Sequence, residues 1–110
     1  MGMLKPLPIP SKPWESISMD LVTGLPKSIL GYDALVVFVD RLTKMIHIAP
    51  TMTTVDAPKL AFIFFKEIFR LHGIPKSIVS DRDTRFTSIF RTSLFKMLDV
   101  ELAISTAFHP

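Results

Sequence analysis

The chain has 110 residues, 48% of them hydrophobic, with no cysteine, nine phenylalanines and a formal net charge of +3. That length bounds it to one domain, and a short chain buries a smaller share of its surface than a long one; its mean hydropathy of +0.38 therefore predicts apolar surface for other elements of a larger domain to cover. The composition excludes a disulfide framework, a thiolate zinc site and a cysteine nucleophile, no run approaches the ~18 uncharged apolar residues of a membrane span, and a pI near 9.5 suits a polyanionic partner without requiring one.

The N-terminus lacks the long apolar segment of a secretion signal. Residues 4–13 carry four prolines, which favours an extended arm and forbids a helix or an inner strand. The chain divides accordingly into a proline-rich linker, residues 1–13, and a domain entered at Trp14. Residues 16–23 alternate apolar Ile17, Met19 and Leu21 with polar Ser16, Ser18 and Asp20, the period of a strand. Gly24, Pro26 and Gly31 mark a loop. The β-branched run 34–39 predicts an inner strand, and 45–49 a third, joined through the polar turn 40–44.

The period then changes. From Asp56 to His72, Leu60, Ala61, Phe64, Phe65, Ile68 and Leu71 recur at three and four, with Asp56 as N-cap, Pro58 in the first turn and Gly73 as the stop. Residues 76–80 predict a short strand ending at Asp81. Ser88 is expected to cap a second helix through Leu98, with Phe90, Leu94, Phe95 and Leu98 inward, and 101–106 reads as a fifth strand. The order β-β-β-α-β-α-β gives a mixed five-stranded sheet of the α/β class, antiparallel on the hairpin side and parallel across the helices. Ligands in such sheets gather near the carboxyl ends of the central strands.

Two carboxylates stand out. Asp20 interrupts an otherwise apolar strand and Asp81 ends another, so neighbouring first and fourth strands would bring them together. Two carboxylates a few ångströms apart repel and raise one pKa unless a cation intervenes. Oxygen ligands on strands suit Mg²⁺ or Mn²⁺, and two such ions ~4 Å apart drive in-line phosphoryl transfer. The commoner reading of either aspartate alone is a solvated strand position or a turn residue.

Taken in order, Trp14-Glu15-Ser16-Ile17-Ser18-Met19-Asp20, Leu25-Pro26, Val37-Phe38-Val39-Asp40-Arg41-Leu42-Thr43-Lys44, His72-Gly73-Ile74-Pro75, Ser80-Asp81-Arg82, Phe86-Thr87 and Ser105-Thr106-Ala107-Phe108-His109-Pro110 resemble the catalytic core of gypsy-type retrotransposon integrases. The resemblance implies a ribonuclease-H-like fold over residues 14–110, a nuclear setting, retroelement and target DNA as partners, self-association with other integrase chains, and an Asp, Asp, Glu triad holding Mg²⁺ or Mn²⁺. Asp20 matches the first acid and Asp81 the second. The 29 residues after Asp81 fall short of the family's glutamate, and in the family His109-Pro110 leads into the segment bearing it and the helices that cover the sheet. The complete family enzyme trims 3′ ends and transfers strands; a chain with two of the three acids is expected to bind metal weakly and to be inactive alone. The family's zinc-binding module needs cysteines, and His47, His72 and His109 are too scattered to replace it.

Other charged residues have plainer readings. Asp40 could reach Asp20 but is expected to pair with Arg41 or Lys44. Glu67 shares a solvated helix face with Lys66 and Arg70, Asp83 belongs to a turn beside Arg82 and Arg85, and His47 and His72 are structural. Lys76, Arg82, Arg85 and Arg91 flank the second acid, where positive charge would hold phosphates without reading sequence or simply keep a surface soluble. The phenylalanines, at helical spacing, are core rather than base-stacking platforms. Two other readings follow: a non-catalytic module that binds nucleic acid or integrase chains, and a ribonuclease H, which would need Glu67 beside the two aspartates.

Overall fold

A computed structural model of the protein describes residues 10–108, so most of the proline-rich arm, and His109 and Pro110, lie outside the described residues. Three strands come first: β1 (Ser16–Val22), β2 (Ala34–Asp40) and β3 (Ile46–Thr51). A helix α1 (Ala57–Phe64) continues through a π-helical turn (Phe65–Phe69) into the short α2 (Arg70–His72); β4 (Ser77–Ser80) and α3 (Thr84–Phe108) follow. The sheet runs β3-β2-β1-β4, with β1, β2 and β3 antiparallel and β4 parallel to β1.

The fifth strand is not formed: residues 101–106 continue α3. Nothing between Ser88 and His109 is a glycine or proline, and Glu101, Leu102 and Ala103 are strong helix formers, so no residue stops the helix at Leu98. Its start is earlier than Ser88 as well. Asp83 is the cap, accepting the Phe86 N–H at 2.8 Å, while Ser88 sits inside the helix with its carbonyl accepting from the Thr92 hydroxyl.

Both long helices cover one face of the sheet. Ile17, Met19, Val36, Phe38 and Ala49 point into that face and form one cluster with Leu60, Ala61, Phe64, Ile68, Phe90 and Leu94. Phe38, Phe64 and Phe90 meet edge to face in a chain across the layers, the geometry that aromatic quadrupoles favour. Three expected core residues are outside it: Leu71 is 65% and Phe95 55% exposed, and Leu98 is half-buried without joining the cluster. The π turn inserts an extra residue into the helical repeat, which rotates Leu71 off the stripe set by Leu60, Phe64 and Ile68. Met97 packs against the cluster in α3 while Phe95 lies outside it. On the other sheet face Val37 and Val39 are half-buried and Ile46 and Ile48 exposed.

Asp40, fully buried, fastens the start of the domain to this sheet. Its carboxylate accepts the Trp14 N–H at 3.0 Å, the Leu42 and Thr43 N–H groups, and the Thr43 hydroxyl at 2.6 Å. Its expected pairing with Arg41 or Lys44 does not occur: the Arg41 guanidinium donates to the Ser16 hydroxyl, and Lys44 meets Asp40 through its backbone N–H. A turn whose N–H groups converge on the carboxylate needs no basic side chain to neutralise it. Burial alone would raise the Asp40 pKa, but the hydrogen bonds, led by the Thr43 hydroxyl and the Trp14 N–H, bring it below the usual carboxylate range.

Two outcomes follow for stability. Phe64→Ala empties a fully buried site and should cost about 3–5 kcal/mol in urea unfolding. Asp40→Ala strands buried donors and should cost about 2–4 kcal/mol, with Asp40→Asn losing less. Because the folded-state pKa of Asp40 is depressed, its contribution is complete above the unfolded value of about 3.9 and is lost as pH falls through the lower folded value. Acid unfolding of the Asp40→Asn protein should therefore show a shallower dependence on pH in that window.

Candidate functional site

The central strand sets the position of both aspartates. Parallel pairing of β1 with β4 registers Ser16 with Ser77, Ile17 with Ile78, Ser18 with Val79 and Met19 with Ser80. Asp20 is the next residue of β1 and Asp81 the first residue beyond β4. Both are exposed. The parallel register thus sets Asp20 level with Asp81, one position past the last paired residues Met19 and Ser80, toward the carboxyl ends of adjacent strands. Alternation along β1 places Asp20, opposite Val37, on the face away from the core cluster.

Asp40 belongs to a different place. From the end of β2 it pairs with Ile17 of β1, three positions along the ladder from the Asp20–Val37 pair, and its oxygens are occupied. Glu67 is likewise remote: Leu60 borders the niche beside Asp20, and Glu67 lies seven residues further along the helix, about 10 Å at 1.5 Å per residue, paired with Lys66 at 3.9 Å. Two exposed hard oxygen donors toward the carboxyl ends of adjacent strands fit an Mg²⁺ or Mn²⁺ ion that retains most of its waters. Among the described residues no group of three or more His, Cys, Asp or Glu comes together to hold a metal.

Arg82 connects the surrounding surface. It borders the niche of Asp20 with Ser80 and Phe86, a hollow at the start of α1 with Arg85 and Asp56, and a third with Arg91, Thr84 and Thr87. Its guanidinium lies 4.3 Å from the centre of the Phe86 ring, a cation–π contact that holds the head group in place. Arg82 precedes α3, which starts at Thr84, so no helical spacing in the sequence announces this contact. Arg82, Arg85 and Arg91 are all exposed and none is in an ion pair among the described residues.

Lys76 is set apart from them. It precedes β4, at the opposite end from Asp81 and about 16 Å away at ~3.3 Å per strand residue. Its ammonium pairs with Glu15 at 3.0 Å, and its backbone N–H donates to the Glu15 carbonyl. The Ser11 N–H, at 2.7 Å, and then Lys76 draw the Glu15 carboxyl down to about 2.

His47 and His72, read from the sequence as structural, are both neighbours of Trp14. Trp14, itself buried, stacks on His72 at 4.4 Å and meets His47 edge-on at 5.1 Å. Burial, followed by the neighbouring His47 and opposed by Asp40, lowers the His72 pKa. No periodicity foretells this cluster, whose members are drawn from the domain entry, β3 and the end of α2.

Comparison with known proteins gives this geometry a consistent origin. The Transposon Tf2-3, Tf2-4 and Tf2-5 polyproteins of Schizosaccharomyces pombe are each 44% identical to the chain over 87 residues, which is 79% of this chain and 6% of each polyprotein. The chain is thus homologous to a short segment of these transposon polyproteins, which supports a retrotransposon origin. No protein-family model matches it. Among the described residues no helix is long and apolar enough to cross a membrane.

The Glu15 arrangement makes a direct prediction. In an NMR titration Glu15 should lose its proton near pH 2, and Lys76→Gln should raise that value only in part, because the Ser11 N–H remains.

Proposed function

We propose that the chain is a segment of a retrotransposon integrase catalytic core with a ribonuclease-H-like arrangement, in which Asp20 and Asp81 are the metal ligands of a DNA-joining site. The observation that supports this most is the β1–β4 register, which sets two carboxylates from distant parts of the sequence level with each other toward the carboxyl ends of adjacent strands, in a chain homologous to transposon polyproteins. Mg²⁺ or Mn²⁺ bound there would polarise phosphate oxygens and lower the pKa of a bound water. The chain's own residues do the rest. Asp20 and Asp81 hold the ion at a water-exposed edge, Arg82 holds a phosphate next to it from its seat on Phe86, and Arg85 and Arg91 extend the positive surface to either side. DNA is the proposed partner, gripped by its backbone rather than read by its bases, and the nucleus is the proposed setting.

A second reading, a non-catalytic DNA-binding or chain-association module, is favoured by one observation: among the described residues no group of three or more His, Cys, Asp or Glu comes together to hold a metal. The ribonuclease H reading lacks such support, with Glu67 remote from the niche.

The two leading readings separate on chelation. In NMR, Mn²⁺ should broaden the amide signals around Asp20 and Asp81 in the 110-residue chain, and Asp20→Asn or Asp81→Asn should abolish the effect; broadening elsewhere, or none, defeats the metal assignment. Duplex DNA binding followed by anisotropy should weaken uniformly across sequences when Arg82, Arg85 and Arg91 are replaced by alanine, with the salt slope falling by about 0.9 for each phosphate that is no longer neutralised. DNA binding that EDTA leaves unchanged, with no strand transfer in Mn²⁺, would favour the non-catalytic module.

A further inference from the structure

The sheet has two edges, and they are built differently. β3 carries Pro50, which has no N–H to offer an added strand and so blunts that edge. β4 is Ser-Ile-Val-Ser, with neither a proline nor a charge in it, and among the described residues it pairs only with β1. Residues 101–106, which would have covered its far side as a fifth strand, belong to α3.

The hydrogen bonds of β4 identify the groups left over. The Ser77 N–H donates to the Glu15 carbonyl at 3.3 Å, and Ser16 is the partner of Ser77 in the register. Successive residues of a strand turn their backbone groups to opposite sides, so Ser77 and Val79 bond to β1 while the N–H and C=O of Ile78 and Ser80 point away from it. Beside them lies a hollow of about 130 Å³ between the strand and α3, lined by Ile74, Pro75, Ile78, Arg91, Leu94 and Phe95, with Ile74 48% and Phe95 55% exposed. Open backbone donors and acceptors next to an apolar groove are what an added strand needs.

Charge and symmetry select that strand. From Lys76 to Asp81 the segment is positive at its start and negative at its end, so antiparallel pairing with an identical segment sets opposite charges side by side, where parallel pairing sets like on like. A twofold axis normal to the sheet allows only registers in which residues of the same face meet. Centred on Val79, the register sets Lys76 opposite Arg82 of the other copy. Centred on Ile78, it brings Lys76 beside Asp81 of the other copy, sets Ser77 opposite Val79, and lets the two Ile78 residues exchange both backbone hydrogen bonds. The Lys76 side chain, although paired with Glu15, is 76% exposed. Ile78 is registered with the core residue Ile17, so both Ile78 side chains lie on the helix side, where the two grooves adjoin.

We infer that the open edge of β4 pairs antiparallel, centred on Ile78, with the same edge of a second copy of this chain, joining two four-stranded sheets into one. The contact is short, which makes the association weak and reversible.

The test is run in EDTA, so that no ion shared by the aspartates contributes. Sedimentation velocity should show monomers converting to dimers as concentration rises. Over the same series hydrogen exchange at the Ile78 amide should slow while that of Val79, already bonded to β1, stays as it is, and a mixture of labelled and unlabelled chains should give a Ser77–Val79 NMR contact between copies. Val79→Lys puts a charge on the edge strand of both copies and should weaken dimerisation by about tenfold; Ile48→Lys, on β3, should leave it unchanged. The exchange measurement on the unaltered chain stands even if Val79→Lys folds poorly. A chain that stays monomeric throughout would overturn the pairing, as would an Ile78 amide already protected at the lowest concentration, which means that another part of the chain covers the edge. Dimers lost in Ile48→Lys and kept in a folded Val79→Lys would move the contact to the open sheet face and overturn it as well.

Discussion

The buried carboxylate of Asp40 is the constraint on which the rest of the domain depends. One side chain ends β2, closes the turn into β3 through Leu42 and Thr43, and fixes the Trp14 backbone at the entrance to β1. A buried anion is tolerable only when its lone pairs are taken up, and here four donors from two distant segments meet that need. The backbone follows: the Arg41 N–H donates to the Ser16 carbonyl, and the Glu15 carbonyl accepts from Lys76. The placement of β1 between β2 and β4, and with it the placement of Asp20, rests on this anchoring. Trp14 is held with a φ of +63°, a conformation that a bulky residue keeps only where its surroundings hold it there.

Much of this is legible in the residues. Alternation in 16–22 and the β-branched run 34–39 locate the first two strands, and Asp56 and Gly73 mark the ends of the first helical stretch, where the Lys59 N–H does reach the Asp56 carboxylate. The two aspartates stand out by position, and the register supplies the condition under which they come together, a fourth strand parallel to the first and beside it. The departures have local reasons. The second helix runs past Leu98 because no residue there enforces an end, and a regular 3.6-residue spacing does not survive a π turn that shifts the phase. That shift alone moves Leu71 out of its expected place in the core.

The proposed site is less legible than the fold, because charge spacing says nothing about partners. Lys76 and Arg82 bracket the same strand in sequence, yet Lys76 is engaged by Glu15 and Arg82 by a phenyl ring. Asp40 looks available to Asp20 in the sequence and is instead consumed by backbone donors, one of them from a segment 26 residues away. Histidines that are scattered in sequence meet over one tryptophan. For Lys76, Asp40 and the histidines the deciding contact is long-range, and no short window of sequence contains it.

The parallel pairing of β1 with β4 has a kinetic side. The Ser16 and Ser77 hydroxyls that meet at 2.6 Å are 61 residues apart, whereas β1 and β2 close over a single short loop. Chain-closure entropy puts the longer connection at a disadvantage of about 1–1.5 kcal/mol, and β4 contributes only four residues of pairing in return. The three-stranded meander is therefore the part that can assemble early and persist, and β4 the part that joins late and departs first. Each departure separates Asp81 from Asp20 while most of the sheet stays intact. The proposed Asp20–Asp81 pairing therefore depends on one short strand as well as on the stability of the domain.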